Sequence, residues 1–308
     1  MNISDYKTEE EYVAQMETGA LLNPRIDSTF KALFTQPTKE SREALHSFLE
    51  AATEQKIKTF SLTANDAPLN FSGQRNVSYD IMCEFENGLA ADIEMQAFNQ
   101  EYDYGKRAEY QVARLETTYL KKGDNWEKAP IVFQRTVLDF NYEKNINLKK
   151  SAPRKTPVSR YAMRTKDGRE LSNTLNIVFI ELPKTKGLEK TLETNTALEN
   201  WAIFLKDADN PKKQDVINQL TDKEAGLMQA KKSLSSISAN RDYWIEQYRQ
   251  ELADRDRRSG ISAALKKGKK EGKIEVARNL LKMGFTPEQV AEGTGLSVSE
   301  IEELKTGN

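Results

Sequence analysis

"YDIMCEFENGLAADIEMQ", residues 79–96, reads as two short runs of strand-forming residues folded back on Asn87-Gly88, a strong hairpin signal. The loop length decides which side chains share a face, because a one-residue slip in register turns every side chain over. A two-residue loop pairs Glu86 with Leu89 and leaves both faces mixed. A three-residue loop, Glu86-Asn87-Gly88 with Gly88 in the left-handed region as a bulge, pairs Phe85 with Leu89 and separates the faces. Tyr79, Ile81, Cys83 and Phe85 then lie across from Met95, Ile93, Ala91 and Leu89, an apolar side suited to packing on helices. The other side sets Asp80, Met82 and Glu84 against Glu94, Asp92 and Ala90, with Gln96 next to Glu94. The apolar match selects this second register.

It brings Asp80 opposite Glu94, and opposed residues of an antiparallel pair have Cβ atoms about 4.5–5.5 Å apart. Two carboxylates so close repel, and two readings offset the cost. In one, the acidic face of a half-exposed sheet is screened by water and salt. In the other, a hard divalent cation takes oxygens from Asp80, Glu94 and the Met95 backbone carbonyl.

Outward from the hairpin, "NPRIDSTFKALFTQP" predicts a helix capped by Asp27 or Ser28, with Phe30 and Phe34 one turn apart and Pro37 closing it. A second helix is expected around 39–52. "EYDYGKRAEYQVARLETTYLKKG" has helical spacing and stops at Gly123. "APIVFQRTVLDF" and "NTLNIVFIEL" read as strands separated by a basic loop at 143–170, and "ALENWAIFLKDA" returns to helix. From about 210 onward strand signals vanish. The last segment, "MGFTPEQVAEGTGLSVSEIEEL", gives two short capped helices joined through Gly293 to Gly295, the pattern of a helix-turn-helix and equally of a packing or dimerisation unit. The expected division is an α/β core at 20–207 and a helical region at 208–308.

Composition excludes several classes. No apolar run approaches the roughly 20 residues that cross a bilayer. The acidic, polar start lacks the pattern of a secretory signal, and the one cysteine, Cys83, has no internal partner; both fit a cytoplasmic protein. His46 is the only histidine, which removes zinc clusters and histidine-based triads, and no phosphate-binding glycine loop supports a nucleotide cofactor. With a net charge of −1, polyanion binding rests on local patches. Two exist: Lys149, Lys150, Arg154, Lys155, Arg160 and Arg164, and Lys266, Lys267, Lys269, Lys270 and Lys273. Each also reads as a solvated face.

The spacing Y-D-x(13)-E-M-Q resembles the PD-(D/E)XK nuclease signature in the variant carried by the Rpn recombination-promoting nucleases, a group also described as transposases. "IDSTFKALF" and "KRAEYQ" resemble that family's opening motif and post-strand helix. "IVFIELPK", "LENWAIFLKDA" and "IEVARNLLKMGFTPEQVAEGTGLSVSEIEEL" follow in the family's order, so the likeness spans 20–308. The resemblance implies a restriction-endonuclease-like core, a mixed sheet flanked by helices, that cleaves DNA with Mg²⁺, Mn²⁺ or Ca²⁺ serving as substitutes. It implies that Asp80 and Glu94 are metal ligands and that Gln96 stands where the wider superfamily has lysine. A glutamine amide orients water but carries no charge. Lys31, Lys106 or Arg107 is then the candidate source of positive charge, against the plainer reading of a solvated lysine or of an Arg107 salt bridge to Asp103 or Glu109. Asp27 is either a helix cap or a third acidic group, and Tyr110 and Tyr119 either approach DNA or pack in the core. The expected partners are DNA and a second copy of the chain, joined through the helical region. The competing reading is a nuclease fold that binds DNA or protein, or regulates, without cutting.

Overall fold

The computed structural model describes residues 3–66, 75–86, 88–99, 102–119, 122–142 and 155–306. Phe60–Leu62 (β1), Ile81–Phe85 (β2) and Ala90–Gln96 (β3) form an antiparallel meander. The hairpin takes the three-residue loop: Ile81 pairs with Ile93, Met82 with Asp92 and Cys83 with Ala91. The Phe85 N–H donates to the Leu89 carbonyl at 2.8 Å and the Gly88 N–H to the Phe85 carbonyl at 3.0 Å. Gly88 has φ +78°, the left-handed value that the bulge requires. Asn87 lies outside the described residues.

Val132–Leu138 (β4) runs parallel to β3, Leu175–Glu181 (β6) runs parallel to β4, and Val158–Tyr161 (β5) closes the edge antiparallel to β6. The strand order is β1-β2-β3-β4-β6-β5, a mixed sheet. Two strands were not expected. β1 and β5 have only three and four residues, too short for an alternation to register, and β5 occupies part of the stretch expected to be a basic loop. Lys149, Lys150 and Arg154 of that stretch lie outside the described residues.

Helices cover both faces. On one side lie Glu9–Val13 (α1), Asp27–Thr35 (α2), Lys39–Thr53 (α3) and Ala197–Asp207 (α5), with Tyr104–Tyr119 (α4) on the other. Thr38 caps α3, its hydroxyl accepting from the Ser41 N–H, and Thr196 with Glu199 forms a capping box on α5. The first core contains Ile81, Cys83, Phe85, Ala91, Ile93 and Met95, as the register demands. Trp201 fills its centre, with ring centroids 5.8 Å from Phe34 and 5.3 Å from Phe48. Burying one such aromatic contributes about 2–3 kcal/mol.

Tyr79 departs from the expected face. The β2–β3 ladder begins at Ile81, while the Tyr79 N–H bonds the Asn65 carbonyl, so the alternation breaks just before the strand. Tyr79 packs with Met82, Val112 and Leu115 on the α4 side, its hydroxyl donating to the Gln111 carbonyl at 3.3 Å.

The helices that follow α5 belong to two compact units. Gln214–Lys223 (α6), Ala225–Ser238 (α7) and the first turns of Arg241–Lys282 (α8) contribute Ile217, Leu220, Leu227, Leu234 and Trp244 to the first core. One compact unit therefore spans residues 1–248 and a second spans 249–308. In the second unit, Pro287–Thr294 (α9) and Val298–Thr306 (α10) enclose Val290, Leu296 and Ile301 with Ala277 of α8. Thr286 and Gln289 form a capping box on α9, Gly295 closes it at φ +66°, and Ser297 and Glu300 cap α10. No helix among the described residues is long and apolar enough to cross a membrane.

Candidate active site

Asp80 immediately precedes β2, and the ladder that pairs Ile81 with Ile93 sets it abreast of Glu94 on β3. Its carboxylate is fastened on two sides. One oxygen accepts from the Met95 backbone N–H at 3.0 Å, and the other lies 3.0 Å from the Lys31 ammonium of α2. Glu94 reaches the other way, 3.2 Å from the Arg107 guanidinium of α4. The pair thus sits where α2 and α4 approach one end of the sheet.

Screening by open water is not what stabilises this face. Helix α4 covers it, and Asp92 and Glu94 are both 0% exposed. Alternation puts Asp92 on the same face as Glu94, and the parallel register sets Gln134 and Thr136 of β4 beside them. Thr136 bonds the Gln134 amide at 2.7 Å and meets the Tyr104 hydroxyl at 3.4 Å, while the Gln111 side chain bonds Glu94. Burial, then the charge on Asp80, pushes the Glu94 pKa up to about 8 against the pull of Arg107. Burial and the Glu94 charge hold Asp92 well above the carboxylate range. Glu94 and Tyr104 in turn raise the Arg107 pKa against its own burial, so the guanidinium stays charged.

The remaining candidates fall as follows. Asp27 is the first residue of α2 rather than its cap: Ile26 holds the cap position with no side-chain bond, because the Asp27 carboxylate turns to Lys31 at 2.9 Å. Burial and Asp80 raise its pKa to about 6. Lys31 joins both acids, so it is not a free solvated lysine. Arg107 binds Glu94 instead of Asp103 or Glu109, donates to the Tyr102 hydroxyl at 3.1 Å and lies over the Tyr104 ring. Gln96 shares the Glu94 face and is half-buried. Lys106 and Tyr110 are exposed on α4, so Tyr110 does not pack in the core, whereas Tyr119 is half-buried with its hydroxyl donating to Glu84 at 2.6 Å. His46 bonds the Ile57 carbonyl. Sequence reasoning did not single out Asp92, Tyr104 or Gln111. Asp92 was within reach of it, since a residue two before Glu94 on a strand must share its face.

Among the described residues, no three His, Cys, Asp or Glu side chains are already gathered as a metal cage. The chemistry of the donors nevertheless suits a hard cation that keeps several waters, as Mg²⁺ does with one or two carboxylates. Glu94 Oε1, both Asp92 carboxylate oxygens and Asp27 Oδ1 are buried without a hydrogen-bond partner among the described residues. An ammonium already stands between Asp27 and Asp80, which marks the spot as one that holds positive charge.

A family model described as PD-(D/E)XK nuclease family transposase matches residues 24–264. A second, described as the C-terminal HTH domain of the Rpn/YhgA-like nuclease family, matches residues 270–306. No curated protein and no solved structure matches the chain.

Proposed function

The chain belongs to the PD-(D/E)XK nuclease family of transposases, and from that membership we propose a Mg²⁺-dependent endonuclease that hydrolyses DNA phosphodiesters in recombination or mobile-element transfer. One observation carries this reading: Asp80 and Glu94 stand abreast across one strand pair, near enough that the Asp80 charge raises the Glu94 pKa. Asp80, Glu94 and the Met95 carbonyl are the proposed metal ligands. Bound Mg²⁺ supplies a polarised scissile phosphate and a coordinated water of lowered pKa.

The chain's own groups do the rest. The Met95 N–H fixes one Asp80 oxygen and so orients the carboxylate. Arg107 favours the ionised form of Glu94, the form that accepts a cation. Gln96, on the same face, is suited to orienting water, and Lys31 supplies the positive charge that its amide lacks. Asp27 keeps Lys31 in place.

In the second unit the helix-turn-helix is the proposed grip on DNA. Helix α10 carries Glu300, Glu302 and Glu303, which disfavours a phosphate backbone, so contact falls to the exposed lysines of α8 from Lys266 to Lys273. Exposed Leu265, Met283 and Phe285 favour a dimer through the same helical region. Sedimentation measures that assembly. We propose that it acts in the cytoplasm.

A second reading, a fold that binds DNA without cutting, is favoured by Lys31 and Arg107 already neutralising the acidic pair. Supercoiled plasmid with Mg²⁺ separates the two. The wild type should nick it and Asp80→Ala and Glu94→Ala should not. Equal, background-level nicking by all three with retained DNA affinity selects the second reading.

A further inference from the structure

On the opposite face of the sheet from the acidic pair lies an arginine-lined cavity of about 410 Å³. Its floor is Arg135 of β4, which alternates with Gln134 and Thr136 and so faces α3. Arg135 is 3% exposed, and among the described residues no carboxylate is bonded to it. Its Nε donates to the Ala52 carbonyl at 2.8 Å, and Nη1 donates to the Gln134 and Asn176 carbonyls at 3.2 and 2.9 Å. Its plane lies 4.7 Å over the Phe133 ring. Nη2 has no hydrogen-bond partner among the described residues and is not sealed away. A buried guanidinium costs several kcal/mol unless it is neutralised, so an arginine fixed by carbonyls alone, with one nitrogen turned to a cavity, is a site short of an anion.

Two more guanidiniums line the same cavity. Arg160 pairs with Glu54 and Arg164 with Glu170, the latter at 2.9 Å. Both pairs are exposed, and such pairs are worth only about 0–1 kcal/mol, so either arginine can turn to a stronger anion at little cost. Glu54 is the only non-glycine residue at positive φ among the described residues, and this cap conformation at the end of α3 aims its carboxylate at Arg160, keeping that arginine at the cavity wall. Three arginines against two glutamates leave an excess positive charge. Several N–H forks lining one cavity fit the multiple oxygens of a phosphate better than the two of a carboxylate. The volume exceeds what a phosphate alone fills and falls in the range of small-molecule sites, and Ile131, Phe133 and Ile177 supply an apolar wall.

We propose that this cavity is a second binding site that takes the phosphate of a nucleotide, with Arg135 as its fixed donor and Arg160 and Arg164 closing on it. The same chemistry comes from two sources, a free nucleotide or the phosphorylated end of a DNA strand.

Calorimetric titration of the full chain in EDTA, with inorganic phosphate and with deoxyadenosine monophosphate, tests the site. EDTA removes metal-borne phosphate binding, and Asp80→Ala removes the acidic site. Wild type and Asp80→Ala should bind the nucleotide alike and more tightly than phosphate. Arg160→Ala and Arg164→Ala, both at exposed positions that leave the core intact, should each weaken it about tenfold or more, the loss of a charge-assisted bond. A 5′-phosphorylated oligonucleotide that displaces the nucleotide identifies a strand end as the source, and failure to displace it identifies the free nucleotide. No saturable binding at millimolar nucleotide, or arginine variants that bind as wild type does, overturns the proposal.

Discussion

The Lys31 ammonium lies 3.0 Å from Asp80 and also 2.9 Å from Asp27, so one side chain on α2 joins the helix start to the residue just before β2. Burial works to lower its pKa, but Asp80 and Asp27 together raise it above the ordinary lysine value, and the charge is held. A divalent ion on Asp80 competes for the same oxygens.

Replacing Lys31 with Met therefore has two opposed effects. Without metal, Asp27 and Asp80 lose their shared cation, and the half-buried pair is worth about 1 kcal/mol, or a fall in Tm of about 2–4 °C. With Mg²⁺, the variant's rise in Tm should exceed that of the wild type, because no ammonium has to be displaced. Thermal melts with and without Mg²⁺ check this, and equal rises would mean that Lys31 and the ion do not share a site. Plasmid nicking should fall at least tenfold despite the tighter ion.

The pH dependence of stability carries its own signature. Glu94 has a folded pKa of about 8 against 4.5 unfolded, so the native state holds this proton more tightly. Its contribution to stability is full below pH 4.5 and is lost as pH rises to 8. Asp27 behaves alike over the narrower window from 3.8 to about 6. In EDTA, urea melts should show stability falling from pH 5 to 8, and Mg²⁺, which binds the ionised forms, should reduce the fall. Glu94→Gln, which cannot ionise, should flatten the part above pH 6. A metal-free protein that grows more stable over that range would contradict the buried-acid account.

Gly88 sets the register on which the pair depends. A Cβ there meets nothing within 4 Å, so the cost of a side chain comes from φ +78° alone. Gly88→Val should lose about 1–2 kcal/mol in denaturant melts, and Gly88→Asn, which tolerates the left-handed region, much less. Similar losses for both would point to packing rather than backbone geometry.

The hairpin was legible because its two registers differ in every side chain: only one put Ile81, Cys83 and Phe85 across from Ile93, Ala91 and Leu89. The α4 helix and the capped α9–α10 pair were legible for the same reason, periodicity and caps being local. What escaped was set by distant partners. β1 and β5 exist only as edges of a sheet that other residues build. Ile26 took the cap because Asp27 found Lys31 a turn away, the same lysine that Asp80 holds from across the fold. Tyr79 left its expected face because Asn65, fourteen residues earlier, claimed its N–H. The burial of Asp92 depends on α4, a helix whose spacing was readable but whose docking face was not.

Asp92 gives the sharpest separation of structure from chemistry. It is 0% exposed, neither carboxylate oxygen has a hydrogen-bond partner among the described residues, and burial with the Glu94 charge favours its neutral form. Removing an ionisable proton from such a group should cost folding little: Asp92→Asn should match the wild type within about 0.5 kcal/mol at pH 5 and gain at any pH high enough to force a buried charge on the wild type. If Asp92 remains a neutral neighbour, the Mg²⁺-induced stabilisation of the variant will equal that of the wild type, and nicking will persist. If instead the ion draws Asp92 into its shell, both will drop while metal-free stability rises. Melts at pH 5 and at such a higher pH, with and without Mg²⁺, distinguish these outcomes, and a large loss of stability at pH 5 would show that the carboxyl group has a structural partner that an amide cannot replace.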